Sequence, residues 1–415
     1  MRTERSGLKV IISSGIGKLH FHETVKAAAE AGVDVEFVAG WIPLKRHARL
    51  VDALGSTLGE VSLASRMRAR IVEHPRVTMR SNALAELGGR SAIALLKHFI
   101  RIGDASGFAF ALAGFGTRQW LHDADIFHVR SGAGQGGSIN TAKKNGMRVL
   151  TDHSIAHPEY MDDVLGSEFK RLGLPFEKCS DDGLWTRVLR DCHEADRVLV
   201  NSDFVKRTFV DKGFPAEKVD VAYLGVREQW FSLKSDYSIN GPIRLLFTGN
   251  FDIRKGAATL LESIRILRKG GLDVRLRSVG NLSSSSHCLR DTDAEFFTHT
   301  PFVPHDQLRP MMAEADLFVF PTLIEGSSRS AMEAAASGLP VISTENCGLP
   351  LEAEKEAIYV PLSKPKLLAE AIARMATNEQ LRSDIGHNAA MRIQQQFTWA
   401  RYGEELVRVY SSLLN

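Results

Sequence analysis

Short runs of apolar and β-branched residues alternate along the chain with segments whose apolar positions recur at helical spacing. The first unit joins the runs LKVIIS and VDVEFVAG through a helical segment that Gly32 ends. Further strands are predicted at ADIFHVR, RVLTDH and ADRVLVNS, with helices over about 181–194 and 203–212. The stretch from about 45 to 120 is predicted to be mostly helical. This alternation is typical of a parallel sheet flanked by helices.

The pattern breaks into polar, turn-rich sequence near 225–241 and then restarts. Strands are predicted at IRLLFTG, DVRLRSVG, EFFTHT, DLFVFP, PVIST and AIYV, separated by helical segments such as AATLLESIRILRKGG and RSAMEAAASG. Two blocks of this kind predict an α/β protein with two doubly wound, Rossmann-like domains that face a central cleft. Ligands of such sheets bind at the carboxyl ends of the strands, so the site is expected in the cleft.

Composition and charge narrow the class of protein. The chain has 415 residues, 44% hydrophobic and 24% charged, and its net charge of +3 gives no reason to expect nucleic acid. The charge is uneven, because the segment 41–101 holds eleven basic and four acidic residues. That excess predicts peripheral contact with an anionic membrane or another phosphate-bearing partner. The alternative is a solvated helical face.

The cysteines and the hydropathy bear on the compartment. Cys179, Cys192, Cys288 and Cys347 have no CxxC spacing, which argues against a zinc ribbon or disulfide scaffold and suits a reducing compartment. The polar start MRTERSG leads directly into the first strand, and no apolar run reaches the ~20 residues of a membrane helix. The sequence therefore predicts a cytoplasmic protein that associates peripherally with the membrane face through its basic segment.

The segment FPTLIEGSSRSAMEAAASGLPVIST carries two glutamates, Glu325 and Glu333, around the start of an alanine-rich helix. A buried strand ending at Pro321 delivers the turn to the helix N-terminus, where free N–H groups and the helix dipole favour an anion. Small side chains let a phosphate approach closely there. The residues of this predicted cradle are Gly326, Ser327, Ser328 and Ser330.

A simpler interpretation is that Ser330 and Glu333 only form a capping box of the S-x-x-E type. Glu325 does not fit that interpretation, because a carboxylate in a loop beside an anion site would repel phosphate. It is better suited to accept hydrogen bonds from hydroxyl groups. Two such acceptors around a phosphate cradle suggest a ligand with hydroxyls at both ends, such as a sugar nucleotide.

A second candidate loop lies in LLFTGNFDIRKG, where a strand ends at Gly249 and a helix starts after Gly256. The adjacent cations Arg254 and Lys255 would neutralise a diphosphate at the end of the strand. The alternative is a solvated pair of charges at a turn. Because both candidate loops follow strands of the same domain, the functional interpretation gains weight.

Four segments, GNFDIRKG, VNSDFVKRTFVDKGFPAEKVDVAYLGV, DLFVFPT and EGSSRSAMEAAASGLPVI, together resemble the retaining glycosyltransferases of family 4 (glycosyl transferases group 1), which have the GT-B fold. The last segment matches the E-x7-E motif of that family. The resemblance implies an acceptor-side domain over 1–225, a donor-side domain over 226–395, and a terminal helix over 396–415 that crosses back to the first domain.

The motif positions imply a role for each candidate residue of the donor side. The resemblance implies that Glu325 binds hydroxyls of the donor sugar and that Glu333 binds the ribose. Lys255 pairs with the diphosphate, and the turn at 326–330 binds sugar and phosphate through its backbone amides.

The sequence departs from the family beside the diphosphate, because Asn250 follows Gly249 where the family has an arginine. Arg254 is a candidate replacement for that arginine. We nevertheless expect Gly249, Asn250 and Arg254 all to line the donor site.

Two features of the first domain complete the predicted site. The loop with Gly15 and Gly17 fails as a dinucleotide fingerprint, because His20 occupies the third glycine position. It resembles instead the glycine loop that lies near the donor phosphates and acceptor in this family. His153 follows a strand and resembles the family's histidine near the reaction centre; the alternative is a satisfied loop histidine.

Metal binding is not expected. His153 and His157 have the i, i+4 spacing of metal ligands on a helix, but no third ligand accompanies them. The D-x-D sequences at 123–125 and 291–293 are interpreted as chance matches to a metal–diphosphate motif of another glycosyltransferase fold. Cationic side chains and a helix N-terminus can do that work here, so no cofactor is predicted.

The prediction is therefore a metal-independent, retaining hexosyltransferase that moves a sugar from a UDP or GDP donor to an acceptor hydroxyl, in polysaccharide, glycolipid or glycoconjugate biosynthesis. Its candidate catalytic residues are His153, Lys255 and Glu325. A carbohydrate or lipid-linked acceptor is expected against the first domain. Two alternatives stay open: a sugar-nucleotide epimerase of the same fold, and a non-catalytic sugar-nucleotide-binding protein.

Overall fold

The computed structural model of the protein describes residues 7–17, 19–42, 71–96, 99–282 and 288–415. Within these residues the strands form two separate sheets. The Ser-rich stretch 283–286 and residues 43–70 of the basic segment lie outside the described residues.

The first sheet has seven strands in the order β3-β2-β1-β4-β5-β6-β7. Its inner strands are buried along most of their length, because parallel strands are usually covered on both faces. The strands are β1 Lys9–Ser13, β2 Asp34–Ala39, β3 Val77–Ser81, β4 Ile126–Arg130, β5 Arg148–His153, β6 Arg197–Val200 and β7 Val219–Val221.

The second sheet has six strands in the order β10-β9-β8-β11-β12-β13. The sheet and its helices share one apolar core, distinct from the cores on the two faces of the first sheet. A further apolar cluster of the first domain also includes Ile253, Leu323 and Ile324, which lie in the loops after β8 and β11. The strands are β8 Ile243–Thr248, β9 Val274–Val279, β10 Phe297–Thr300, β11 Leu317–Phe320, β12 Val341–Ser343 and β13 Ile358–Tyr359.

Thirteen α-helices occur among the described residues, and most of them connect successive strands. The helices are α1 Phe21–Glu30, α2 Ala83–Leu96, α3 Ile102–Thr117, α4 Ser138–Lys144, α5 Pro158–Arg171, α6 Gly183–Glu194, α7 Asp203–Asp211, α8 Ala257–Lys269, α9 His305–Glu314, α10 Arg329–Ala336, α11 Pro365–Thr377, α12 Glu379–Gln396 and α13 Trp399–Leu414.

Parallel pairing determines where a ligand can bind. All the strand pairs in both sheets are parallel, so the strands of each sheet end at one edge and their following loops gather there. The predicted loops at 15–17, 249–256 and 321–328 all follow strands and therefore lie at such edges.

The chain crosses between the two domains twice. It leaves the first sheet at Val221 and enters the second at Ile243, and it returns through Phe397, whose carbonyl accepts a bond from Val226 N at 2.8 Å. Helix α13 then packs on α1 so closely that a Cβ on Gly403 would lie 2.5 Å from the carbonyl oxygen of Ala27. The domain bounds implied by the resemblance stay predictions.

Residues 45–120 are predicted to be mostly helical, and the described part of that stretch holds α2 and α3, while 45–70 lie outside the described residues. The strand β3 in the same stretch was not predicted. β3 is the edge strand of the first sheet, and only Val77, Met79 and Ser81 are partly covered. Such a short, half-exposed strand has too few apolar positions to show a period of two.

Candidate functional site

The turn between β11 and α10 forms the centre of the candidate site. β11 is fully buried, and the chain then passes from Pro321 to Ser328 before the helix begins at Arg329. Ser328 is the N-cap residue: its backbone is extended, and its hydroxyl accepts a bond from Ala331 N at 3.4 Å. Free amide groups at this helix start remain available for an anion.

The capping box predicted at Ser330 and Glu333 is therefore wrong. Ser330 lies inside the first helical turn, and its hydroxyl donates to the carbonyl of Thr248 at 3.4 Å instead of capping. With three serines within four residues, only the backbone conformation decides which one caps, and Ser328 has the extended form. Glu333 is thus not used by the helix cap.

Glu325 and the two predicted cations come together. The Glu325 carboxylate oxygen Oε1 accepts a hydrogen bond from Arg254 Nη1 at 3.0 Å and lies 3.4 Å from Lys255 Nζ. All three side chains are largely covered, Arg254 the least at 30% exposure. The turn after β11 and the loop after β8 are therefore joined by one carboxylate between two cations.

The loop after β8 leaves space around Lys255. Gly249 has φ +122°, and a Cβ on it would lie 3.0 Å from Lys255 Nζ. A Cβ on the neighbouring Gly280 would lie 2.3 Å from the Gly249 carbonyl oxygen. Asn250 is exposed, and its side-chain oxygen accepts a bond from Asn281 at 3.2 Å. Two adjacent strand ends are thus free of bulky side chains beside the ammonium group.

Glu333 differs from Glu325 in having no partner. Among the described residues, no hydrogen bond or ion pair reaches its half-buried carboxylate. Burial raises the pKa of Glu333 to about 7, although the nearby Arg329 and Arg227 act to lower it. A partly dehydrated, unpaired acceptor on the second turn of α10 is suited to a hydroxyl-bearing ligand.

The turn also touches the first domain. A Cβ on Gly326 would lie 2.1 Å from the carbonyl oxygen of Ser154, so only glycine fits there. The hydroxyl of Ser202 donates to the Gly326 carbonyl at 2.5 Å. Ser154 directly follows β5 and Ser202 lies just after β6. The contact therefore brings Glu325 and Ser327 to the carboxyl edge of the first sheet.

His153 is the last residue of β5 and adjoins that contact. Its ring is buried; Nδ1 lies 3.0 Å from the hydroxyl of Ser131, while Nε2 has no partner among the described residues. Burial lowers the pKa of His153 to about 4, so the ring is neutral at pH 7. A satisfied loop histidine would have both nitrogens bonded, and this ring keeps one free.

His153 lines a small cavity of about 90 Å³, which we call the first-domain cavity. Its polar wall consists of Arg130, Ser131, Asp152, His153 and Ser154. The predicted glycine loop lies alongside: the Arg130 guanidinium donates to the carbonyl of Ile16 at 2.7 Å, between Gly15 and Gly17. Both glycines have positive φ, and a Cβ on Gly15 would lie 2.5 Å from Ala133.

Sequence reasoning missed the buried charge network behind this cavity. Asp152 lies 2.9 Å from His20 Nε2 and 3.4 Å from His128 Nε2, and His128 Nδ1 lies 2.7 Å from the hydroxyl of Tyr410 on α13. Burial would raise the pKa of Asp152, but the two histidines outweigh it and hold the pKa well below its usual range. Only the position of Asp152 at the end of a predicted strand could have indicated it.

A glycine-rich loop, SGAGQGG at 131–137, was missed as well. The buried Asp191 holds it by accepting bonds from Gly134 N at 2.7 Å and Gln135 Nε2 at 2.5 Å. Burial raises the pKa of Asp191 to about 7. The composition of the loop alone could have drawn attention to it.

The structure does not bring metal ligands together. His153 ends β5 and His157 caps α5, so the two histidines do not share a helix face. Asp125 accepts a bond from Lys9 N at 2.9 Å, and Asp293 pairs with Arg265. Within the described ranges, no three or more His, Cys, Asp or Glu side chains cluster as metal ligands would. The absence of a metal requirement stays a prediction.

Two family models match the chain, one in each half. Residues 17–230 match the model described as Glycosyltransferase Family 4, and residues 242–378 match that described as Glycosyl transferases group 1. The first match alone covers more than half of the 415 residues.

Curated relatives include three proteins named for polysaccharide biosynthesis. The amylovoran biosynthesis glycosyltransferase AmsK of Erwinia amylovora is 30% identical over 40% of this chain and 44% of its own length. The putative colanic acid biosynthesis glycosyltransferase WcaL of Escherichia coli is 27% identical over 52% and 57%. The capsular polysaccharide biosynthesis glycosyltransferase CapM of Staphylococcus aureus is 28% identical over 49% and 53%. The chain spans about half the length of the curated relatives it matches.

Solved structures confirm the predicted GT-B architecture. A sucrose-phosphate synthase from Thermosynechococcus elongatus superposes with a TM-score of 0.68 at 16% identity, over 98% of this chain and 99% of that one. Anabaena HepE, in a structure with UDP and glucose, gives 0.61 at 14% identity, over 98% and 100%. At these identities the likeness concerns the fold.

Proposed function

The chain belongs to glycosyltransferase family 4, and we propose that it moves a hexose from a UDP or GDP donor to an acceptor hydroxyl with retention of anomeric configuration. The observation that carries this proposal is the junction of Glu325, Arg254 and Lys255 at the start of α10. The junction combines a carboxylate for sugar hydroxyls with cations and free helix amides for a diphosphate. The contact at Gly326 holds it against the first domain.

Departure of the diphosphate is the step that these residues assist. The bond from the anomeric carbon to the diphosphate breaks as the bond to the acceptor oxygen forms, and the acceptor proton leaves with the diphosphate. Lys255 and the amide groups at the start of α10 stabilise the negative charge that develops on the leaving group. Glu325 holds the hydroxyls of the sugar, and the partnerless Glu333 holds the ribose.

His153 faces this step from the first domain. Because its ring is neutral at pH 7, it serves as a hydrogen-bonding group for the sugar and not as a fixed positive charge. Its free Nε2 is the atom assigned to that contact. The glycine loop at 15–17 approaches the donor and acceptor from the same side, supported by Arg130.

No metal ion is needed in this proposal, because Lys255 and the helix start provide the positive charge that a metal would supply. Turnover is therefore expected to continue in excess EDTA. Loss of activity in EDTA, restored by a divalent cation, would contradict the metal-independent mechanism.

Donor binding is the first experimental test. Thermal denaturation with a panel of UDP- and GDP-linked sugars should show stabilisation by one nucleotide series, because a ligand of the folded state raises the melting temperature. Incubating that donor without acceptor then separates the alternatives. An epimerase would convert it to an isomeric sugar nucleotide, whereas a transferase would at most hydrolyse it slowly. Absence of stabilisation by any nucleotide would contradict the proposal.

We assign the acceptor to polysaccharide or glycoconjugate biosynthesis, supported by the names of the relatives above. A lipid-linked acceptor at an anionic membrane suits the surface of the first domain. Helices α2 and α3 pack as a pair, and large apolar side chains stay exposed on them and on the connection between them. These residues are Leu84, Leu87, Leu95, Phe99, Ile100, Ile102, Phe108 and Phe115.

Charge and position favour a lipid surface as the partner of this apolar pair. Arg90, Arg101 and Arg118 lie on or beside the two helices, and the segment 41–101 carries a strong basic excess. Phe110 of α3 lines the first-domain cavity, so a membrane bound here would hold its head groups near that cavity. Among the described residues, no helix is long and apolar enough to cross a bilayer.

Flotation with phosphatidylglycerol-containing vesicles tests this surface. Phe99→Ser combined with Phe108→Ser should abolish binding that the wild-type chain shows at low salt. Phe302→Ser is the matched control, because Phe302 is 76% exposed on the second domain. Equal binding by all three proteins, or none by the wild type, would contradict the membrane assignment.

A further inference from the structure

Arg254 is the residue whose role changes most between sequence and structure. As the nearest cation to Asn250, it is a candidate for the missing diphosphate arginine. Its backbone is fixed against the turn that carries Glu325: the Arg254 carbonyl accepts bonds from Leu323 N at 2.8 Å and from the Thr322 hydroxyl at 3.2 Å. A Cβ on Gly256 would lie only 2.0 Å from the Pro321 carbonyl oxygen.

The guanidinium of Arg254 is committed to the same turn. One nitrogen, Nη1, donates to the main-chain carbonyl of Ile324 at 2.6 Å and to Oε1 of Glu325 at 3.0 Å. These two bonds hold both the backbone and the side chain of the glutamate. Turning towards a phosphate would break both bonds. The Ile324 carbonyl would keep only the Thr322 hydroxyl at 3.4 Å, and the carboxylate only the loose pair with Lys255, which is unfavourable for buried polar groups.

Lys255 is held far less. Its ammonium group lies 3.4 Å from Glu325 Oε1 without a hydrogen bond of good geometry, and 5.3 Å from the centre of the Phe320 ring. A lysine is a point charge on a flexible stem, so it can change partners where an arginine fork cannot. The space beside Gly249 allows that movement.

Position 250 supplies no charge. Asn250 is exposed and bonded only to another amide, Asn281, in the described structure. The loop after β8 therefore carries one cation that is free to move and one that is tied to Glu325.

We infer that Arg254 is a positioning residue for Glu325 and not a ligand of the diphosphate, and that Lys255 is the only side-chain cation this loop gives to the diphosphate. The inference rests on the proposed function. When a donor binds, Lys255 moves from Glu325 to the diphosphate. Arg254 stays behind and aims the Glu325 carboxylate at the sugar hydroxyls.

Comparing ligands with and without a sugar tests the inference. UDP, GDP and the UDP- and GDP-linked sugars are titrated calorimetrically into the wild type, Arg254→Gln and Lys255→Gln. Arg254→Gln should leave the Kd for the bare nucleoside diphosphate within about twofold and weaken the sugar-linked form by about tenfold or more. Lys255→Gln should weaken both forms by about tenfold or more.

A gain-of-function variant provides a second test. It does not remove the bonds of Arg254, so its result does not depend on whether the loop after β8 is destabilised. Asn250→Arg should tighten binding of the bare nucleoside diphosphate by about tenfold, because no other arginine of this loop reaches it. For the two charge-loss variants, Arg254→Gln and Lys255→Gln, the matched control is Arg275→Gln, which removes an exposed arginine on β9.

Three results would overturn the inference. The first is a tenfold loss of bare nucleoside diphosphate affinity in Arg254→Gln, with Arg275→Gln unchanged. The second is no tightening in Asn250→Arg. The third is failure of the wild type to bind any of these nucleotides. That result would contradict the proposed function as well, whereas the first two would contradict only the role inferred for Arg254.

Discussion

The two walls of the cleft treat their ionisable groups in opposite ways. On the second domain, Glu333 has no partner among the described residues and Lys255 makes one loose ion pair. On the first domain, Asp152 is paired with His20 and His128, and all three are buried. Apart from Glu325, which Arg254 holds, the second-domain wall keeps these groups available for a ligand. Apart from His153, the first-domain wall uses them to hold the fold together.

Burial has opposite consequences for a charge with partners and a charge without them. A buried charge that has found its partners stabilises the position of the elements that carry it, and removing one partner is costly. A partly buried charge without partners destabilises the protein without ligand, and that free-energy cost is offset only when a ligand binds. Removing a charge should therefore destabilise the protein at the first kind of site and stabilise it at the second.

The largest effect is expected for Asp152→Ala. It leaves His20 and His128 buried without their shared carboxylate, so the free energy of unfolding should fall by roughly 3–5 kcal/mol. Chemical denaturation measures it. Asp163→Ala is the control, because Asp163 pairs with Lys212 on the surface and should cost less than about 1 kcal/mol. Equal losses in the two variants would remove the distinction between the walls.

Glu333→Gln should act in the opposite direction. The pKa of Glu333 lies near 7 in the folded protein and near 4.5 when unfolded, so the folded state binds its proton more tightly. Stability contributed by this proton is complete below pH 4.5 and is lost as the pH rises through 7. The glutamine variant should therefore be more stable than the wild type by roughly 1–3 kcal/mol at pH 8 and equal to it at pH 4.5.

Thermal denaturation of Glu333→Gln at the two pH values measures this difference, and donor titration should show weaker binding in the same variant. A variant that is less stable than the wild type at pH 8 would mean that Glu333 has a stabilising partner. The second-domain wall would then resemble the first.

The smallest effect is expected for Tyr410→Phe. It removes one hydrogen bond to the buried His128 without changing the packing of α13, which should cost about 1 kcal/mol. Chemical denaturation would detect it. Because the Tyr410 hydroxyl bonds to His128 of the first domain and not to the second-domain loops, donor affinity should not change. A change in donor affinity without loss of stability would mean that α13 acts on the site and not on the fold.

The second-domain wall was largely predictable because each of its parts is local in sequence. Glu325 follows a buried strand and precedes a helix within a few residues, and Lys255 does the same in the loop after β8, so strand-end reasoning placed both. The capping residue was misassigned to Ser330, since three serines compete within one turn and sequence alone does not fix their backbone angles. The bond from Arg254 to Ile324 joins two loops and could not be predicted from either.

The first-domain wall was predictable only in part. His153 ends β5, at the strand end where the sequence predicts it, but the network behind it joins pairs of residues that are 132 and 282 positions apart in the chain. No local spacing connects His20 with Asp152 or His128 with Tyr410. The neighbouring positions of β1, β4 and β5 in the sheet and the return of α13 bring them together, and neither is contained in a short segment.

If the turn carrying Glu325 holds a sugar nucleotide, transfer must depend on the Glu325 carboxylate. Release of nucleoside diphosphate from the donor that stabilises the wild type is compared in the wild type, Glu325→Ala and the exposed control Glu345→Ala, with unliganded melting temperatures recorded alongside. We predict that Glu325→Ala loses at least about 100-fold in turnover while melting within a few degrees of the wild type, and that Glu345→Ala is unaffected. Turnover at the wild-type rate in a folded Glu325→Ala variant would contradict the assignment of this turn as the sugar-nucleotide site.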